Sequence, residues 1–267
     1  MIESEQSIGY FIASTRVEIT QKILLIFNEF NSFKEDLYNS IVHSLGNNVS
    51  VDIVFHNYNR NTFDMLLAGA AGKYTVYVVM SGKFHNVGPQ LEALGGRVIL
   101  LDHFEECLKG KYSSVSQNFA DDTYAALVSG LKQIRNYREI ILVQKSEKEP
   151  EERYDGLKRF CSEYGMDVGM VKSMENMKVK TGTVYLTAED RELVNLINTS
   201  EMQKLVAGHD FGIISYNDTV LKEILCGGIT TLSTDFIQMG RTVAEMICEK
   251  EIRTVANPWH LNIRKSL

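Results

Sequence analysis

Six histidines and four cysteines are the first side chains with chemistry to offer, and their spacing offers little. His43, His56, His85, His103, His209 and His260 show no HxxxH or HxH step, and Cys107, Cys161, Cys226 and Cys248 lie far apart without a CxxC pair. A metal site needs ligands that one turn, strand or helix face can bring together. None is expected here, and no cofactor is expected either. The cysteines read as reduced core residues. The neighbouring carboxylates Glu105 and Glu106, and Asp121 and Asp122, would point different ways on a helix, which fits a solvated face better than an acid–base pair. The chain has no GxxxxGK(S/T) phosphate loop, no GxGxxG turn and no GxSxG nucleophile elbow. The expectation is a protein that is not an enzyme.

Polar residues do gather at one kind of place, just after short apolar runs. KILLIF (22–27) is followed by Asn28-Glu29-Phe30-Asn31, VDIVF (51–55) by His56-Asn57-Tyr58, and Met80 by Ser81. Leu101 leads to Asp102-His103, and Val115 to Ser116-Gln117-Asn118-Phe119. Further on come Arg153, Glu189-Asp190 after Thr187, Tyr216-Asn217-Asp218 after Ser215, and Ser233-Thr234-Asp235 after Leu232. Paired donors and acceptors with aromatic rings between them suit the hydroxyls and apolar faces of a sugar or small polyol. The set holds no Lys and Arg cluster, which argues against a polyphosphate. Asp190, Asp218 and Asp235 also stand where helices start, so helix capping is at least as good an account of each. The charge-rich KSEKEPEER (145–153) reads for the most part as a solvated turn.

The elements that must position these residues alternate. Continuous apolar runs such as KILLIF and YTVYVVM (74–80) read as strands buried on both faces. Between them, Phe33, Leu37, Ile41 and Leu45, and later Leu157, Phe160 and Cys161, repeat at helical spacing. The run 121–135 reads as one helix with Tyr124, Leu127, Val128, Leu131 and Ile134 inward. Two successive strand–helix sets imply two parallel sheets, each covered on both faces. The fold class is α/β, with two similar lobes and a ligand cleft between them at the C-terminal strand ends. The joints are expected near 136–138 and 232–236. That gives a first lobe of 22–136 plus 236–254 and a second of 137–235 plus 255–267. Residues 1–15 and the linker 16–21 stand apart.

Bulk properties narrow the class further. The chain has 267 residues, 44% hydrophobic and 23% charged, with a formal net charge of −6. It shows no basic stripe of the kind a nucleic-acid grip needs. It has no apolar run of membrane-spanning length and no signal-peptide core at its start. A cytoplasmic, soluble protein without a membrane partner is expected.

The stretch HDFGIISYNDTVLKEILCGGITTLSTDFIQMG (209–240) resembles the LacI/GalR regulators. Those carry a strand ending in an aromatic–Asp/Asn–Asp step, then a helix, then "TT" and an Asp opening another helix. Here Ser215-Tyr216-Asn217-Asp218, Thr230-Thr231 and Asp235 match. EERYDGLKRF resembles that family's Arg-x-x-Gly-aromatic step through Arg153 and Gly156, with Leu157 in the aromatic place. ILLDHF keeps Asp102 and has His103 in an Arg place, and TAEDREL has Glu189 where Asn is usual. The resemblance covers about 22–264. It implies a periplasmic-binding-protein-like fold of type I that closes on a small effector, a monosaccharide or a derivative of one. It implies ligand contacts from Phe30, Asn31, Phe33, Asp102, His103, Gln117 and Asn118 in one lobe. Arg153, Glu189, Asn217 and Thr234 would supply those of the other. Either Asn118 or Asp121 could hold the family's acidic contact. A homodimer is implied as well.

The start of the chain raises a separate question. SIGYFIAST (7–15) reads as a small strand, and with only six residues before it a partner on that side is not expected from strand propensity alone. MIESEQSIGYFIAST resembles the end of a GntR-type winged helix, where a "GLIES" strand and a "GxGYFVA" strand form the wing. Ile2-Glu3-Ser4 matches the first and Gly9-Tyr10-Phe11-Ile12 the second, with Ser7 and Ile8 in the turn. That likeness implies a sensing domain of a GntR-family regulator, which reaches operator DNA through an N-terminal domain absent from this chain. In such a fragment the wing strand would be frayed, re-paired or borrowed. A stand-alone solute-binding protein is the alternative reading.

Overall fold

The computed structural model describes residues 2–5, 9–12, 21–46, 49–145, 148–249 and 251–267. Strand β1 (Ile2–Glu5) pairs antiparallel with β2 (Gly9–Ile12), Ile2 opposite Ile12 and Glu3 opposite Phe11. The strand in SIGYFIAST therefore does have its partner among the few residues before it, contrary to the propensity reading. The turn residues Ser7 and Ile8 and the linker 16–20 lie outside the described residues.

The first large sheet has the order β13-β7-β6-β5-β3-β4, and every neighbour pair in it is parallel. Its strands are β3 (Gln21–Phe27), β4 (Val49–Phe55), β5 (Val76–Val79), β6 (Arg97–Asp102), β7 (Ser113–Ser116) and β13 (Thr254–Ala256). Helices α1 (Ser32–Leu45), α2 (Arg60–Ala70) and α3 (Gly88–Glu92) connect them. The apolar run of β3 is explained by its two faces. Ile23, Leu25 and Phe27 enter one core with Leu37 and Ile41, while Leu24 and Ile26 enter another with Phe63 and Leu67.

The second sheet repeats the plan in the order β14-β12-β11-β10-β8-β9. It comprises β8 (Glu139–Val143), β9 (Asp167–Val171), β10 (Thr183–Thr187), β11 (Gly212–Tyr216), β12 (Thr230–Thr234) and β14 (Trp259–Asn262). Of its neighbour pairs only β12–β14 is antiparallel, with Thr234 opposite Trp259, the single tryptophan of the chain. Its helices are α4 (Phe119–Ser129), α5 (Leu131–Ile134), α6 (Glu152–Tyr164), α7 (Asp190–Gln203) and α8 (Val220–Ile224), while α9 (Phe236–Cys248) returns to the first sheet.

The chain passes between the sheets at 116–119, 234–236 and 256–259. The first passage differs from the expected joint at 136–138. Ala126, Leu127 and Ile134 share a core with Ile140, Leu142 and Phe160, so α4 and α5 cover the second sheet. Helical periodicity shows that this run has an apolar face but not which sheet that face meets. The run is also two helices, parted at Gly130.

Two close helix pairs flank the passages, and a glycine sits in each. On α6, a Cβ at Gly156 would overlap the Ala120 carbonyl of α4. On α9, a Cβ at Gly240 would lie 2.6 Å from Ser40 Cβ on α1. Gly156→Ala should separate α6 from α4 and cost about 1–3 kcal/mol, the range for overpacking a tight core, read as a lower urea midpoint at unchanged slope.

Candidate functional site

Both sheets present the C-terminal ends of their parallel strands to one cleft of about 280 Å³. A parallel strand in such a sheet is followed by a helix, so helix N-termini collect at the same edge. α1, α4, α6, α7 and α9 all begin beside residues that line this cleft. Their dipoles favour negative charge in it. Acids in the first turns temper that preference: Glu35, Asp121, Asp122, Glu152 and Asp190.

From the first lobe, Asn31 caps α1 by accepting from Lys34 N at 3.0 Å. Phe33 stacks on Phe236 with centroids 5.7 Å apart and planes at 17°. Asp102 ends β6 with φ 68°. It accepts a short hydrogen bond from the Gln117 amide, whose oxygen accepts from Thr234 Oγ1 at 2.5 Å. His103 faces Gly82 O through Nδ1 at 3.1 Å and Glu152 Oε1 through Nε2 at 3.2 Å, so it bridges the lobes.

From the second lobe, the Arg153 guanidinium lies 3.9 Å over the Tyr216 ring and 5.4 Å from that of Phe119. Arg153 is only 6% exposed and pairs with Glu149, while its Nε has no partner among the described residues. The Tyr216 hydroxyl shares a 2.7 Å hydrogen bond with Thr123 Oγ1. Asn217 sits at φ 59°. Buried Lys222 holds that turn by donating to Tyr216 O and Asn217 O, each at 2.8 Å, and pairs with Asp190 at 2.7 Å. Glu189 accepts from Lys145 N at 3.2 Å.

Three non-glycine residues of the lining are in the left-handed region: Tyr58 (φ 56°), Asp102 and Asn217. A bulky side chain there is costly, and such outliers collect where surrounding structure fixes a binding geometry. Burial, followed by the charges of Glu29, Glu149 and Asp102, pushes the Tyr58 phenol well above its usual range.

The cleft brings together Asn31, Phe33, Asp102, His103, Gln117, Arg153, Glu189, Asn217 and Thr234 from the sequence expectation. Two expected residues lie elsewhere. Phe30 is 68% exposed and packs edge-on against Phe55. Asn118 caps α4, hydrogen-bonds Asp121 at 2.7 Å, and lines an adjoining recess of about 250 Å³. Neither Asn118 nor Asp121 faces the main cleft. The caps also sort themselves out. Asp235 does cap α9, whereas Asp190 pairs with Lys222 and Asp218 with Arg264. Sequence reasoning missed Lys34, Phe236 and the loop residues Lys148 and Glu149, all of which line the cleft. The loop read as a solvated turn therefore forms part of the wall. Lys148 lies 4.7 Å over the Tyr58 ring and 3.8 Å from Glu29.

Asp218 anchors the Asn217 turn to the tail. Arg264 donates to both of its carboxylate oxygens at 2.8 and 2.6 Å, and Asn262 donates to Oδ2 at 2.8 Å. Burial raises the Asp218 carboxyl, but the hydrogen bonds and charge of Arg264 together hold it below the usual aspartate range.

Among the described residues, no group of His, Cys, Asp and Glu could hold a metal ion, and no helix is long and apolar enough to cross a membrane. No family model matches the chain, and no curated protein does. Solved structures do. A LacI-family regulator from Silicibacter pomeroyi superposes with a TM-score of 0.77 at 14% identity, over 92% of this chain and 98% of that one. One from Enterococcus faecalis with bound ribose gives 0.74 at 20% identity, over 92% and 98%. A periplasmic binding protein/LacI regulator from Alkaliphilus metalliredigens complexed with D-xylulofuranose gives 0.74 at 12% identity, over 92% and 99%. At these identities the likeness is one of fold: two lobes of the LacI-like, periplasmic-binding-protein type.

The Asp218–Arg264 lock should be visible in pH-dependent stability. The folded Asp218 pKa lies below its unfolded value, so the contribution is present above the ordinary aspartate pKa and fades as pH falls through the folded one. Arg264→Gln should cost about 1–2 kcal/mol at pH 7. The gap to the parent protein should close in acid, as followed by urea unfolding across pH.

Proposed function

We propose that this chain is the effector-sensing domain of a transcription regulator, which binds a small sugar-like molecule between its lobes. The observation that carries this is the cleft lining. The Arg153 guanidinium lies 3.9 Å over the Tyr216 ring, its Nε without a partner among the described residues, while Asp102, Asn217 and Thr234 offer mixed donors and acceptors in the same lining as Phe33 and Phe119. Hydroxyl-rich ligands need that combination of forked donors, paired acceptors and apolar ring faces. The fold neighbours that hold ribose and D-xylulofuranose support the same ligand class. Binding across two lobes favours the arrangement in which both contact the ligand, so the effector shifts an open–closed equilibrium.

The finer reading is a GntR-family regulator whose winged-helix domain, N-terminal to this chain, grips operator DNA. Its support is the hairpin of β1 and β2, paired with Ile2 opposite Ile12 as the two wing strands would be. A homodimer would turn lobe closure into a change in the spacing of two DNA-binding heads. The exposed Val220, Leu221 and Ile224 on α8, 78%, 67% and 70% accessible, support a protein–protein contact there. We place the protein in the cytoplasm, without catalytic activity.

A thermal-shift screen of monosaccharides and sugar acids tests the sensing role, because a ligand that binds only the folded state raises the Tm. Arg153→Ala should fold and lose any such shift. A shift that survives the substitution removes Arg153 from the site. Leu221→Asp should convert a dimer to a monomer in sedimentation analysis, and an unchanged sedimentation coefficient would remove α8 from the interface.

A further inference from the structure

Lys34 is a cleft cation whose charge the described lining leaves open. It sits in the first turn of α1 and is 5% exposed. Its ammonium makes no hydrogen bond among the described residues. Asp102 Oδ2, its one ion-pair partner there, stands 3.9 Å away, and the Phe236 ring lies 5.1 Å from it. The carboxylates around it are engaged by other groups: Glu149 by Arg153, Glu29 by Lys148 and Asn31, and Asp102 Oδ1 by Gln117. Among the described residues, the ammonium of this cleft-lining lysine therefore has no hydrogen-bond acceptor and only a distant ion-pair partner. Lys34 stands in the first turn of a 14-residue helix, where the helix dipole favours an anion even though Asn31 already caps the Lys34 N–H.

We propose that the effector carries an anionic group, a carboxylate or a phosphate ester, that docks on Lys34 at the N-terminus of α1. This deepens the sugar-sensing reading and rests on it. Burial, the largest influence on Lys34, holds its pKa below the usual lysine range despite the opposing charges of Asp102, Glu29 and Glu149. The carboxylates present thus do not make up for the water this ammonium has lost. A neutral hydroxyl would fill one donor and leave the charge uncompensated. An anionic oxygen pair fills more than one donor and supplies the missing charge, and such charge-assisted bonds are about twice as strong as neutral ones. Arg153 is left to read hydroxyls, because Glu149 already neutralises it.

The test uses the full chain with paired probes: glucose against glucuronate and gluconate, galactose against galacturonate, and glucose and ribose against their monophosphate esters. Thermal shift and calorimetry are run on the parent protein, Lys34→Met and Lys34→Arg. At least one anionic probe should bind about tenfold or more tightly than its neutral parent, a difference of ~1.4 kcal/mol. Lys34→Met, which keeps the packing on Phe236, should remove that preference, and Lys34→Arg should keep part of it. The carboxylate and phosphate arms decide between the two sources of charge. Equal or tighter binding of the neutral parents overturns the inference and leaves sugar sensing standing. A preference for anions that persists in Lys34→Met overturns it as well. No response to either kind of probe overturns both readings.

Discussion

The cleft exists because three chain passages between the lobes are tied to one another. Buried Asn257 joins them directly: its N–H donates to Ser116 O at 2.8 Å and its side-chain amide to Asp235 O at 3.2 Å. Asp235 N donates to Pro258 O at 3.0 Å, and the Gln117 side chain reaches Asp102 on one side and Thr234 on the other. Each passage therefore carries a residue that another passage holds. The cleft-lining Gln117 and Thr234 are the same residues that fix the connection. A molecule that engages them acts on the geometry of the hinge itself and needs no separate relay.

Electrostatic layout is set by topology before it is set by individual side chains. Parallel sheets put every strand's C-terminal end, and therefore every following helix's N-terminus, on the same edge. Two such edges facing each other concentrate positive helix ends in one small space. The side chains then divide the work. Glu149, Glu29 and Asp190 neutralise cations, Arg153 sits over an aromatic ring, and Lys34 remains underfilled among the described residues. Tyr58, Asp102 and Asn217 of the wall take left-handed backbone, which costs most at the bulky Tyr58.

Much of this was legible in residue order. Apolar runs such as KILLIF give buried strands, and the polar residues just after each run land at the cleft because parallel topology forces them there. The LacI-like segment 209–240 located Asn217 and Thr234, and the EERYDGLKRF stretch located Arg153, for the same reason. The features that stayed hidden depend on distance in space. Lys34 lies within a run at helical spacing and reads as an exposed lysine between Phe33 and Leu37, and only the packing of Phe236 over it reveals its burial. The loop 145–153 looks like a solvated charge run because its partners, Glu29, Tyr58 and His103, belong to the opposite lobe. The apolar face of 119–134 is plain, yet its choice of the second core depends on where the chain crosses.

One feature of the hinge also makes the molecule its own instrument. The single tryptophan, Trp259, sits on β14 opposite Thr234, directly after the third passage and half-buried against the second core. An indole placed there changes its surroundings whenever the passages re-pack, while the rest of the chain is silent at tryptophan's emission. Under the sensing role proposed above, intrinsic fluorescence from this one side chain would read lobe movement without any label.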